Sequence, residues 1–200
     1  METTNLKVRL TFMEDVLGTA SNDPEIHAEF IASKSPDPKT IEDEVAAIGV
    51  EAAVEKSTTV FPRDENGKPI FYDYQIRGFF KEACSCLKKV DGTLSSKIKA
   101  YKKMVDGQIF VAPRKIVIDM KGMELSNCQR PLRASTAQGE RISLANSEVV
   151  PAGSAIEFTV LRLNESDIKV VKEWLEYGVF KGLGQWRNSG KGRFEVEYIE

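Results

Sequence analysis

Four of the chain's 14 glycines lie within one short stretch, at 182, 184, 190 and 192, and Trp186, Arg187, Lys191 and Arg193 are interleaved with them. Glycine admits positive φ and lets another backbone approach closely. A loop of exposed N–H groups beside Lys and Arg side chains forms a concavity for anions. A tryptophan in that loop offers a flat face on which a base can stack. The chemistry that suits this pattern is the holding of a phosphate chain by Gly182, Gly184, Trp186, Arg187, Gly190, Lys191, Gly192 and Arg193. The same glycines would also serve a plain helix-to-strand connection, and at the level of sequence both readings stand.

Two further sets of cations belong with this loop. Arg77 and Lys81 fall at the start of a helical pattern, where backbone N–H groups and the helix dipole favour anions. Arg114, Lys115, Arg130, Arg133 and Arg141 are mostly arginines, whose planar fork matches phosphate geometry. A solvated helix face and scattered surface charge are the plain alternatives for the two sets. Groups for covalent or acid–base catalysis are scarce. His27 is the chain's only histidine, and so its only side chain with an ordinary titration near neutrality. It shares a helical stripe with Phe30 and Ile31, as a half-buried helix residue would. Asp23 follows the first strand, where a carboxylate could assist a metal. No Ser/His/Asp or Cys/His triad assembles, and no H-E-x-x-H, P-loop or EF-hand pattern occurs. Glu14-Asp15 and Glu42-Asp43-Glu44 read as solvated acids.

Composition bounds the rest. With 42% hydrophobic and 29% charged residues over 200 positions, the chain reads as an ordinary soluble domain able to bury one sizeable core. Its longest apolar runs fall short of the roughly 20 residues of a membrane span, and no secretory leader is visible at the N-terminus. Cys84, Cys86 and Cys128 match no zinc spacing and are odd in number, as in a reduced cytoplasmic compartment. The net charge of −2 argues against nucleic-acid binding through bulk charge. A local groove remains open, because acids concentrate over 14–65 and bases over 77–141.

Elements must position these residues. Leu6–Phe12 alternates with period two, as a half-buried strand does. Pro24 to about Ser33 and Thr40–Lys56 carry helical patterns. Thr59–Tyr72 reads as a hairpin turning at Asn66-Gly67. Ile76, Phe79, Phe80, Ala83, Cys84 and Leu87 recur at helical spacing, with Arg77 and Lys81 on another stripe. A short helix is expected over Ser95–Val105 and one or two strands over Gln108–Met120. The chain runs extended over Gln129–Arg133, loops over Ala134–Gly139, and returns as a strand over Arg141–Val149. A strand around Ile156–Val160, a helix capped by Ser166 and a final strand Phe194–Tyr198 complete the pattern. Stripped of insertions at 20–74 and 121–150, the order is strand, helix, strand, strand, helix, strand. That is the α+β, ferredoxin-like (RRM-like) arrangement with an antiparallel sheet and its helices on one side. It forms a single domain over 1–200, with a helical, acidic insertion over 20–58 and an extended one over 121–150.

Three segments resemble the RAMP superfamily, and within it the Cas7-like backbone subunits of CRISPR effector complexes. Phe61–Lys81 resembles the family's hairpin and following helix start, although Phe79-Phe80 is bulkier than the small residues usual there. Glu148-Val-Val-Pro-Ala-Gly-Ser154 resembles its entry to the third core strand. Gly182–Phe194 resembles its glycine-rich loop and last strand. The chain is also similar to short stand-alone RAMP-like proteins of bacteriophages. The resemblance implies a non-catalytic RNA-binding module without a cofactor or metal, which grips a phosphate backbone, self-associates head to tail and has Cas-type subunits as partners. An interaction protein from a mobile element, which mimics a Cas subunit or binds a nucleotide signal to blunt host defence, is an alternative. A Cas6-like endoribonuclease using His27 is another.

Overall fold

The computed structural model describes residues 4–21, 58–136, 139–162 and 167–199, and of 131–144 the backbone alone. His27, Asp23 and the two helices expected over 24–33 and 40–56 lie outside the described residues.

Strand β1 (Thr4–Phe12) sets the architecture. Its alternation sends Leu6, Val8, Leu10 and Phe12 to one face, and all four are buried. On one side β1 pairs antiparallel with β10 (Ala155–Arg162), and on the other with β11 (Phe194–Ile199). Beyond β10 come β6 (Ile109–Ala112) and β7 (Lys115–Asp119), both antiparallel to it, and β5 (Ile70–Tyr72) pairs with β7. The register Val8↔Phe158 and Phe12↔Phe194 stacks one strand's core residues beside the next. The opposite face is charged. Arg9 there donates to Glu157 and lies 3.7 Å from Glu197.

Two helices cover the apolar face. Helix α1 (Asp73–Leu87) buries Ile76, Phe79, Phe80, Ala83 and Cys84, the stripe that the sequence spacing specifies. Helix α3 (Asp167–Glu176) buries Val171, Trp174 and Leu175, and its Trp174 ring lies 5.7 Å from Phe80. Full burial of such side chains is worth about 1.5–3 kcal/mol each, so this shared core dominates stability.

A second sheet is built on β9 (Gly139–Val150). It pairs with β8 (Ser126–Thr136) over their full length, with β2 (Val16–Leu17), and in parallel with β4 (Thr58–Val60), which in turn pairs with β3 (Ala20–Ser21). The architecture is therefore α+β, with one antiparallel and one mixed sheet.

Three local expectations need correction. The segment 59–72 turns at Asp64–Lys68, where Gly67 takes φ 75°. Its flanks meet only through Arg63↔Pro69 and the Ile70 N–H bond to Pro62 O, and then diverge to different sheets. The helix expected over Ser95–Val105 is instead a 3₁₀ turn, Ser95–Lys97, followed by α2 (Tyr101–Gln108). A tertiary contact explains the break. Glu173 of α3 accepts the Leu94 and Ser95 N–H groups at 2.6 and 3.0 Å and the Ser95 hydroxyl at 2.5 Å. The Ser95 oxygen in turn accepts the Trp174 indole N–H at 2.9 Å. Finally, the loop expected over 134–139 is shorter than that, because β8 continues to Thr136 and β9 begins at Gly139.

Candidate nucleic-acid interface

The glycine-rich segment leaves α3 through a 3₁₀ turn (Tyr177–Val179) and folds back on itself. The Leu183 N–H donates to Gly192 O at 2.9 Å, and the Gly192 N–H to Asp15 O at 2.8 Å. The Gln185 N–H reaches Leu17 O at 3.3 Å. At the crossing, a Cβ on Gly182 would stand 2.1 Å from the Gly192 carbonyl carbon, and one on Gly192 would stand 1.8 Å from Leu183 O. These two glycines are required by the loop's contact with itself. Of the two sequence readings, close backbone approach is thus realised within the chain.

Its cations are held by acids. Lys191 pairs with Asp15 at 2.9 Å, and Arg193 with Glu14 at 2.9 Å. Arg187 donates to Glu82 of α1, which also takes Lys181 at 3.0 Å. Glu14-Asp15 are therefore clasps for the loop. Burial pushes the Glu82 carboxyl up, but hydrogen bonds and charge from Lys181 and Arg187 outweigh it and hold the group below its ordinary value. Asp15 is likewise held low, chiefly by its hydrogen bond from Lys191.

The remaining candidates separate into distinct neighbourhoods. Arg77 and Arg114 both pair with Asp73 at the start of α1. The Arg114 guanidinium lies 5.3 Å from the Tyr74 ring centre and 5.8 Å from that of Tyr72. Lys115 pairs with Glu65 at 2.7 Å, and Lys81 with Asp106 at 2.5 Å. Arg130, on β8, joins the glycine loop. It donates to Gln185 at 2.9 Å and to Ser147 at 3.0 Å. Arg133 and Arg141 sit further along the same β8–β9 ladder.

The loop and α1 lie side by side. Between them runs a groove of about 500 Å³, with Gln75, Phe79 and Glu82 on the helix side and Leu183, Gly184 and Arg187 on the loop side. Thr19 closes one end, accepting from Gln75 at 2.9 Å. Among the described lining residues Arg187 is the one cation and Glu82 the one anion; the others are neutral, and neither Arg77 nor Lys81 of α1 lines the groove. Glu82 had no role in the sequence reading. Its signal was position alone: it follows Lys81, one helical step off the basic stripe. Among the described residues there is no group of three or more His, Cys, Asp or Glu side chains able to hold a metal ion. None of the described helices is long and apolar enough to cross a membrane.

Fold and groove define an α+β module with one antiparallel and one mixed sheet. The chain is similar to a chain of the type III-B Cmr-β complex, solved by cryo-EM bound to cognate target RNA, with a TM-score of 0.57 and 12% sequence identity. The match covers 100% of the present chain, which spans 61% of that chain's length. At this identity the likeness is one of fold. No protein-family model matches the sequence, and no curated protein matches it.

Proposed function

We propose that the chain is a non-catalytic, Cas7-like RAMP module with a ferredoxin-like core, which holds the phosphate backbone of single-stranded RNA. The observation that carries this reading is the groove between α1 and the glycine loop, on a fold similar to that of a chain in an RNA-bound Cmr assembly. The sheet order β11-β1-β10 with β6 and β7 beyond supports the ferredoxin-like assignment. Arg187 lines the groove, Lys181 shares Glu82 with it, Arg130 donates to Gln185, two residues before Arg187 in the loop, and Lys191 and Arg193 follow along the same segment. Their present acid partners do not preclude this role. Pairs this exposed are worth about 0–1 kcal/mol, whereas a phosphate offers charge-assisted hydrogen bonds of its own. Binding then exchanges carboxylate for phosphate. Head-to-tail self-association would let each copy cover a few nucleotides.

A second reading is favoured by that same internal pairing. A chain whose loop cations are already satisfied suits a protein partner or a small nucleotide, as an interaction protein of a mobile element would need. Salt separates the two. Titration of the protein into a labelled single-stranded RNA, read by fluorescence anisotropy over a salt series, should give a log–log affinity slope of about −2 or steeper. That corresponds to three or more phosphate contacts at about −0.7 each. A slope near zero, or no binding at low salt, would overturn the RNA reading.

A further inference from the structure

Trp186 and Arg130 form an unusual pair beside the groove. Trp186 takes φ 55° and ψ 35°, the left-handed region that bulky side chains avoid. Such a conformation persists only where the surroundings impose it, and it clusters at ligand clamps. Trp186 is 42% exposed. Beneath it lies the Arg130 guanidinium, 5.3 Å from the ring centre. Arg130 is 7% exposed, and its Nε has no hydrogen-bond partner. Its partners among the described residues are Ser147, Gln185 and the indole, all neutral. A buried cation is costly without a counter-charge, and among the described residues a ring and two polar atoms are what offset it. Next to Trp186 is a recess of about 320 Å³, lined also by Lys181, Gly184, Gln185, Arg187 and Asn188. Of Arg130, Lys181 and Arg187, the last two share the single carboxylate of Glu82. The recess therefore combines an open aromatic face with an excess of positive charge.

We propose that this recess is a nucleotide site, with the base stacked on the outer face of Trp186, the phosphate at Lys181 and Arg187, and one unit of a bound single strand as its occupant. Arg130 is a positioning residue. Its charge under the indole fixes the ring by a cation–π contact and leaves the other face for the base. The proposal deepens the RNA reading and rests on it for the choice of a strand over a free nucleotide.

Tryptophan emission tests it directly, because Trp174 is 0% exposed and Trp186 is the chain's other tryptophan. A single-stranded oligoadenylate should quench the exposed component of the emission, while a duplex, with its bases already stacked, should not. Trp186→Gly suits the left-handed backbone, so its melting temperature should stay close to that of the parent. It should bind the oligonucleotide about ten-fold more weakly, and Trp186→Phe should recover most of the loss. Oligonucleotide binding without quenching, or undiminished binding by Trp186→Gly, overturns the site and leaves the RNA reading intact. Quenching by adenosine monophosphate, with no binding of the oligonucleotide, supports the nucleotide site and removes the strand. If the nucleotide does not quench and the oligonucleotide does not bind, the site and the RNA reading are both overturned.

Discussion

Glu82 shows what one side chain decides. It takes hydrogen bonds from Lys181 and Arg187 at the position where a phosphate would compete for them. Glu82→Gln should therefore raise single-stranded RNA affinity by roughly three- to ten-fold at low salt, measured by anisotropy, because repulsion is removed and two cations are released. An unchanged or weaker affinity would show that these cations do not meet the phosphates. The same group makes stability depend on pH, together with Asp15. Both carboxyls are held below their ordinary values in the folded chain, so the unfolded chain takes up protons first as pH falls. Their contribution is complete above the ordinary carboxylate range near pH 4, and it disappears as pH drops through the lower folded values. Thermal melts between about pH 6 and 2.5 should lose less stability in the Asp15→Asn, Glu82→Gln double variant than in the parent. Neither acid was legible as a partner in the sequence. Ion pairs joining residues as distant in sequence as Glu82 and Arg187 leave no periodic trace.

Among the elements, the glycine loop separates pattern from cause. Its four glycines and their spacing stand out in the sequence, but that Gly182 and Gly192 are the two fixed by the crossing is known only once Leu183 and Gly192 are seen in contact. A paired measurement checks this. Gly192→Ala, with φ 74° and no room for a methyl group, should cost about 3 kcal/mol or more in denaturant unfolding. Gly67→Ala, at φ 75° with nothing within 4 Å of the new methyl group, should cost only the backbone term of about 1–2 kcal/mol. Equal losses would mean that the loop does not cross itself. Helix α1 was legible because its burial follows one period throughout. The stretch after Ser95 was not, since Glu173 reaches in from α3 to hold the turn. The flanks of the 59–72 turn misled for a similar reason: local turn chemistry is visible in sequence, but the choice of sheet for each flank is made by β7 and β9.

At the scale of the whole molecule, the net charge of −2 conceals an arrangement in which acids are set directly against Arg77, Lys81, Arg114, Lys115, Arg187, Lys191 and Arg193. Association with RNA should then be local and sensitive to geometry. Light scattering after size exclusion, with the 260/280 absorbance ratio, should show a particle well above 22.3 kDa when single-stranded RNA is present. Nuclease treatment should return it to a small species. A particle that stays small with RNA bound would remove head-to-tail assembly and keep the groove. The placement of β1 has a consequence of another kind. Its two neighbours, β10 and β11, both come from far downstream. On the ribosome, the apolar row Leu6, Val8, Leu10 and Phe12 must wait for its first strand partner until translation passes Arg162 and for its second until Ile199, and contacts between such distant segments form slowly. A nascent chain stalled short of that point should be protease-sensitive and a client for chaperones.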